Sequence, residues 1–403
     1  MIKLNLDKSK RYLLACSFGP DSMALFHILR ENGYIFECAI VNYHLRKESD
    51  KEVNSLLQYS SRFNIKVHAL NVVEKIDKNI ESKCRDIRYH FFKELIDKFG
   101  FDSVLVAQHQ DDHIETYILQ KQRQNYPIFY GIAEKTMIFG VNVIRPLLAY
   151  IKQDLLDVCQ KNNVPFSIDQ SNFDTKIKRN KIRHEIVGKM SAQERQRILN
   201  KIDIENKELN KILSSLNKDK LCEVDYALSL DKVPLAYALN YYLKKIDNSL
   251  YLSSNNVGQV ISILKSAKPN GQFPIKSRVF LIKEYGYFTF STDRLYDVNY
   301  SYCIKSPLKL DTPYFYLDFT RDTSNRNVSK HDYPLTIRHL CRTDYIFING
   351  YRVDANRLMI DWKVPFRKRL IWPVIVNKDG KCIYIPRYQK SFKPDSDTNF
   401  YVK

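Results

Sequence analysis

Three groups of residues in this chain have types and spacing suited to chemistry. The first is the turn Ser17-Phe18-Gly19-Pro20-Asp21-Ser22, set between the apolar runs "YLLAC" and "MALFHIL". A strand before it and an amphipathic helix after it would place the turn at a helix N-terminus. There the unpaired backbone N–H groups and the positive end of the dipole suit a phosphate. No Lys-Ser/Thr ending follows, and the run is not G-x-G-x-x-G, so the common nucleotide loops are excluded. The second group is Asp111, Asp112 and Glu115, at a strand-to-helix step. Carboxylates so placed can hold a cation or accept a proton, and the same run also reads as a helix cap with Glu115 closing a box. The third group is cationic. Arg85 and Arg88 share one side of a helix, and Arg179, Asn180 and Arg183 form a second polar cluster. Such side chains clamp phosphate or stay solvated. His44 and His109 have no partner at metal-ligand spacing and read as hydrogen-bonded histidines at strand ends.

These groups act together only if the frame between them converges. Up to about residue 170, strand-like and helix-like runs alternate. "YLLACS", "IFECAIVNY", "IKVHALNVV", "DSVLVAQH" and "MIFGVNVI" read as five strands. "SMALFHILREN" reads as a helix ending at Gly33, and "SDKEVNSLLQYSSRF" as one opened by a Ser49–Glu52 capping box. "IESKCRDIRYHFFKELIDKFG" carries apolar residues at 80, 84, 87, 91 and 95, and "DDHIETYILQKQ" is a short fourth helix. This β-α-β-α order predicts an α/β domain with a parallel sheet and helices on both faces. Its ligands would bind at the carboxyl ends of the strands.

Beyond Met190 the pattern changes. Residues 192–218 and "VPLAYALNYYLKKI" read as helices, followed by a hairpin at "RVFLIKEYGYFTFSTD". From about residue 301 short β-like runs dominate, among them "YPLTIRHL", "WPVIVNKDGKCIYIPRY" and the basic "VPFRKRLIW". The predicted organisation is a catalytic domain at 1–190, a mostly helical middle domain at 191–300 and a small β-rich domain at 301–403.

Composition sets the class. The chain has 403 residues, 44% hydrophobic, with a formal charge of +19, which suits a folded protein of two or three domains. That charge fits a polyanionic partner such as nucleic acid, or a lysine-rich solvated surface. In the last region Arg338, Arg342, Arg357, Lys363, Arg367, Lys368 and Arg369 interleave with Tyr345, Trp362, Phe366 and Trp372. Folded RNA suits that pattern, and so do strands that pack aromatics inward. None of the eight cysteines is spaced C-x-x-C, which argues against a zinc ribbon or cysteine-ligated cluster and for reduced thiols. With no secretory h-region and no apolar run of membrane length, the expectation is a cytoplasmic protein without membrane contact.

The six-residue turn resembles the S-G-G-x-D-S loop of the PP-loop ATP pyrophosphatases, with Phe18 in place of the first glycine. Further segments resemble the tRNA(Ile)-lysidine synthetases in order. "VNYHLRKESDKEV" is similar to their H-x-x-L-R/S segment. "ESKCRDIRYHFF" matches their A-R-x-x-R-Y helix at Arg85, Arg88 and Tyr89. "AQHQDDHIET" matches H-x-x-D-D-x-x-E-T at His109, Asp111, Asp112, Glu115 and Thr116. "VIRPLL" and "IDQSNFDTKIKRNKIRHEI" add Arg145, Pro146, Asp169, Ser171, Asn172, Asp174, Arg179, Asn180 and Arg183. The C-terminal region resembles that family loosely. Its usual G-D-R/K step reads Thr343-Asp344-Tyr345, and "QRQNYPIFYGI" replaces a glycine-rich stretch.

The resemblance implies ATP-driven ligation of free L-lysine to carbon 2 of the wobble cytidine of the CAU-anticodon isoleucine tRNA. The base is adenylated first, and AMP and pyrophosphate are released. It implies ATP binding by Ser17 to Ser22 and a Mg²⁺ ion at Asp21. Asp21, Asp112 and Arg85 would be catalytic, and Asp111, Asp112 and Glu115 would receive lysine. Arg88, Arg179, Asn180 and Arg183 would meet tRNA, and no protein partner is expected. The competing readings are a PP-loop tRNA thiolase, which would need sulfur-carrying cysteines, and an RNA-binding protein with a degenerate loop.

Overall fold

The run Tyr12-Leu13-Leu14 is buried on both faces, as the central strand of a parallel sheet must be. Tyr12 and Leu14 join one core cluster and Leu13 the opposite one, the alternation that a pleated strand imposes. In the computed structural model the described residues are 2–45, 48–74, 80–123, 126–168, 178–247, 250–292, 299–320, 328–388 and 400–403. The chain divides into two compact units, Met1–Leu216 with Ala236–Ser254, and Asn217–Leu235 with Asn255–Lys403.

The first unit follows the predicted alternation: β1 (Arg11–Ala15), α1 (Pro20–Glu31), β2 (Ile35–Asn42), α2 (Ser49–Ser61), β3 (Val67–Asn71), α3 (Ile80–Phe99), β4 (Ser103–Val106) and α4 (Gln110–Gln122). The fifth predicted strand is a hairpin, β5 (Lys135–Ile138) and β6 (Val141–Ile144), turning at Phe139-Gly140 with both residues at positive φ. The sheet order is β3-β2-β1-β4-β6-β5, parallel except for the β5 edge. One face is covered by α1, α2 and α5 (Lys152–Lys161), through Met23, Leu56 and Leu155. The other is covered by α3, through Tyr89, Phe92 and Leu95. That stripe differs from the predicted one, because Ile80 is exposed and the helix turns its aromatic residues onto the sheet. The predicted capping box on α2 also shifts. The helix already includes Ser49, Glu48 holds the cap position, and Glu52 accepts a hydrogen bond from Ser167 Oγ at 3.0 Å.

After α6 (Lys178–Glu185) comes the long α7 (Ala192–Ser215). Ser191 and Glu194 cap it reciprocally: Ser191 N donates to Glu194 Oε2 at 2.8 Å and Glu194 N to Ser191 Oγ at 3.3 Å. Ile114 of α4 packs with Ile182 of α6 and Val187, which seats both helices beside the carboxyl ends of the strands.

The second unit holds α8 (Val224–Ser229), the start of α9 (Lys232–Ile246), α10 (Ser254–Lys265) and an antiparallel sheet of β7 (Asn270–Lys276), β8 (Val279–Glu284) and β9 (Tyr287–Ser291). Lys283 is buried and donates to the carbonyls of Ile263, Leu264 and Ser266, so an ammonium caps the negative end of α10. A four-stranded sheet follows, β10 (Ser301–Ile304) with β13 (Leu335–His339), β16 (Pro373–Val376) and β17 (Cys382–Tyr384). Beside it are a three-stranded sheet of β11 (Lys309–Asp311), β12 (Phe315–Asp318) and β18 (Phe400–Val402), and the hairpin β14 (Tyr345–Ile348) and β15 (Tyr351–Asp354). Two short helices are α11 (Ala355–Asp361) and α12 (Phe366–Leu370). Part of the basic "VPFRKRLIW" run is thus helical rather than β-like, since its proline sits at the helix cap and positive residues fill the last turn.

Candidate active site

The hydrogen bond from Cys16 N to Ala39 O, 2.9 Å, is the last tie of β1 to its neighbour, and α1 starts four residues later. Gly19 takes the cap position with extended backbone, Pro20 opens the helix, and no side chain caps it. The left-handed residue of the loop is Phe18, at φ 60°. Such a conformation costs a side-chain-bearing residue about 1–2 kcal/mol. The Phe18 ring is buried in the core cluster that includes Met23 and Leu155, and burying a phenylalanine returns about 1.5–3 kcal/mol. Burial therefore outweighs the strain. Ser22 is also buried, its hydroxyl donating to Gly19 O at 2.9 Å.

Two cavities open at this loop. The larger, about 780 Å³, is lined by Ser17, Gly19, Pro20, Asp21, Glu52, Asp111, Lys152, Ser167, Arg183 and Arg195 among others. The smaller, about 370 Å³, lies over the ends of β1, β2 and β4 and takes in Ser17, Asp21, Ser22, Tyr43, Arg88, Tyr89 and Gln108. The loop thus separates two spaces, and Ser17 and Asp21 line both.

Beneath the loop, His109 caps α4 and is 1% exposed. Its Nε2 lies 3.5 Å from Asp112 Oδ2 and 3.6 Å from Asp21 Oδ2, and its Nδ1 is 3.8 Å from Asp111 Oδ2. Burial works against its charge, but the three carboxylates outweigh burial and raise its pKa above the ordinary histidine range. The reciprocal effect falls on Asp21. Burial raises its carboxyl, yet His109, Lys152 and Arg183 together hold it below the ordinary value. Lys152 Nζ is 3.9 Å from Asp21 Oδ2, while Asp21 Oδ1 is buried without a hydrogen-bond partner among the described residues.

The predicted carboxylate group converges, but its surroundings are cationic. Asp112 closes the cap by accepting from His109 N at 3.1 Å, so the boxed residue is Asp112 rather than Glu115. Glu115 is fully buried and accepts from Arg179 Nε at 3.1 Å and Arg183 Nε at 2.7 Å. The same two guanidiniums reach Asp112 Oδ1 at 3.3 and 3.0 Å. Asp111 pairs with Arg195 and accepts from Lys152 N at 3.1 Å. Burial disfavours the Arg183 charge, but Glu115, Asp112 and Asp21 more than restore it. Carboxylates and guanidiniums at this spacing can bind an ammonium, a phosphate or each other.

Of the other predicted residues, Arg88 faces the smaller cavity and donates to Tyr43 Oη at 3.2 Å. Arg85 is exposed, lies 5.0 Å from the Tyr89 ring and lines neither cavity. Asn180 is buried on α6. Asp169, Ser171, Asn172 and Asp174 lie outside the described residues. Lys152 and Arg195 carry no sequence signal, since each enters on a separate helix with no motif around it. Among the basic residues of the last region, Arg338 is committed to Asp344 at 2.7 and 2.8 Å and Arg367 to Glu284 at 2.9 Å, while Trp372 is a core residue.

Among the described residues no group of three His, Cys, Asp or Glu side chains forms a metal cage, and no helix is long and apolar enough to cross a membrane. A Mg²⁺ ion needs no such cage, because it takes one or two carboxylates and completes its shell with substrate phosphates and water. The unpartnered Asp21 Oδ1 fits that demand.

Residues 2–190 match the PP-loop domain family. The tRNA(Ile)-lysidine synthase of Ureaplasma parvum serovar 3 is 31% identical over 304 residues, covering 72% of this chain and 88% of the relative. That of Mesoplasma florum is 26% identical over 410 residues, covering 95% and 99%. Among solved structures, the U34-tRNA thiolase of Methanococcus maripaludis aligns with a TM-score of 0.41 at 12% identity, over 54% of this chain and 74% of that one.

Proposed function

The chain belongs to the tRNA(Ile)-lysidine synthase family, and on that premise we propose that it joins free L-lysine to carbon 2 of the wobble cytidine of the CAU-anticodon isoleucine tRNA. At the coarser level it is a tRNA-modifying ligase with a PP-loop domain, which implies ATP use. In the proposed reaction the cytidine oxygen attacks the α-phosphate of ATP and pyrophosphate leaves. The lysine ε-amine then attacks carbon 2, and the oxygen departs on AMP. Adenylation is what turns that oxygen into a leaving group.

The observation that supports this most is the sharing of Ser17 and Asp21 by two cavities. ATP would occupy the smaller one, with its phosphates reaching the backbone of residues 17–22 at the start of α1. Lysine and the cytidine would enter the larger. Asp21 would hold Mg²⁺, which neutralises phosphate charge when bound. Charge in phosphoryl transfer collects on phosphate oxygens, so Lys152, Arg183 and Arg88 are suited to stabilise it.

Free lysine is protonated, with a pKa of about 10.4, and must lose a proton before it attacks. Asp112 is proposed as the group that receives the ammonium and takes that proton, with Asp111 and Glu115 completing the acidic surroundings. For that, Arg179 and Arg183 must release Asp112 Oδ1, and phosphates of ATP or tRNA offer them a destination. Arg85 would reach phosphate or base once tRNA is bound. Residues 191–300 and 301–403 are proposed to handle the rest of the tRNA.

The test is Asp21→Ala. It should abolish AMP formation while leaving tRNA binding nearly intact. An equal loss of tRNA affinity would show that the loop is not a dedicated ATP site.

A further inference from the structure

We propose that Phe18 is a positioning residue that holds the phosphate-facing loop in its binding shape by anchoring its backbone from below. The inference rests on the ATP reading of the loop. Phe18 is the left-handed residue of the turn, at φ 60°, a conformation in which glycine would be free of strain. Gly19 beside it has ordinary extended backbone, and a Cβ there would meet only Ser17 Oγ at 3.4 Å. The permissive residue therefore does not sit where the backbone needs permission.

The Phe18 ring is 7% exposed and lines neither cavity, although residues 17 and 19 on either side of it do. Its carbonyl accepts from Ser167 N at 2.9 Å, and Ser167 Oγ donates to Glu52 at 3.0 Å. Ser167 and Glu52 are themselves walls of the larger cavity. The ring and the carbonyl thus fix one residue from two directions, and through it the loop, α2 and the segment after α5 share one geometry. A glycine at position 18 would relieve the strain but lose the ring and regain backbone freedom. That freedom would then have to be lost each time a triphosphate binds.

The experiment measures steady-state AMP formation by the full chain, with KM for ATP, lysine and tRNA, for wild type, Phe18→Gly and Phe18→Leu, each checked by thermal melting. Phe18→Gly should raise KM for ATP about 10-fold, the factor that corresponds to ordering one residue's backbone. KM for lysine and tRNA should rise clearly less than KM for ATP. Phe18→Leu keeps an apolar anchor and should return KM for ATP most of the way to the wild-type value. An unchanged KM for ATP in Phe18→Gly, or an equal rise for all three substrates, would overturn the proposal. If Phe18→Gly melts below the assay temperature, Phe18→Leu and Phe18→Ala decide: KM for ATP must rise from Leu to Ala. A wild type that forms no AMP would instead defeat the ATP reading itself.

Discussion

Arg183 Nε lies 2.7 Å from Glu115 Oε1, a carboxylate with no solvent exposure, and the Nη2 of the same guanidinium lies 3.0 Å from Asp112 Oδ1. One cation therefore joins the buried wall of the site to the residue proposed to meet lysine. Removing one member of a buried ion pair leaves the other charge uncompensated, at a cost of about 3–5 kcal/mol. Glu115→Gln should therefore lower stability by about 3 kcal/mol in urea unfolding. Asp111→Asn, at a carboxylate less deeply buried than Glu115, should cost less. Equal and small losses would mean that water already screens the Glu115 pair.

The frame of the first unit is legible in the sequence because its signals are local. Alternating strand and helix runs, Gly33 and Gly100 at helix ends, and the Asp-Asp step each act within a few residues. Motifs also bring the carboxylates and arginines to one site. Pairing is what stays hidden. Nothing in the spacing says that Arg179 and Arg183 face Asp112 and Glu115 rather than solvent, since that depends on α6 packing Ile182 beside Ile114. The sequence puts His109 at a strand end, but its three carboxylate neighbours come from two separate helices. The hairpin at Phe139-Gly140 reads as one strand because Gly140 stands inside an apolar run without other turn residues.

In the second unit Asp344 accepts two hydrogen bonds from Arg338, at 2.7 and 2.8 Å, and one from Cys341 N at 2.7 Å. Burial raises its carboxyl, but these partners outweigh burial and hold it below the ordinary aspartate value of 3.8. A depressed carboxyl contributes stability that is fully present above that value and lost as pH falls through the lower folded one. Wild type should therefore lose stability below about pH 4, this carboxyl contributing at most about 1.4 kcal/mol per pH unit. Asp344→Asn should be less stable at neutral pH and show a shallower acid limb. An unchanged acid limb would assign the titration elsewhere.

Cys16 and Cys84 are buried, and burial pushes the Cys84 thiol above its ordinary value. A sulfur carrier needs an accessible thiolate. Cys16→Ala and Cys84→Ala, alone or together, should keep tRNA modification within a few-fold, apart from modest destabilisation. Folded variants that release AMP but leave tRNA unmodified would move the second chemical step onto a cysteine and favour a thiolase.

Arg342, Lys363 and Lys368 are the basic residues of the last region to test for binding to tRNA phosphates. Removing one cation that neutralises a phosphate should reduce the log–log salt slope of tRNA binding by about 0.7–0.9. Replacing all three by glutamine should lower the slope by about 2. A slope equal to wild type would make them surface charges without a role in binding.

The most direct test of the account supplies labelled lysine, ATP and the CAU-anticodon isoleucine tRNA to wild type and to Asp112→Asn, and follows AMP and the label together. Wild type should place label on the wobble cytidine in step with AMP. Asp112→Asn should still bind ATP and lose lysine transfer by about 10²-fold or more, the scale of a missing general base. AMP formed by wild type with no label on that cytidine, or Asp112→Asn at a near-normal rate, would contradict it.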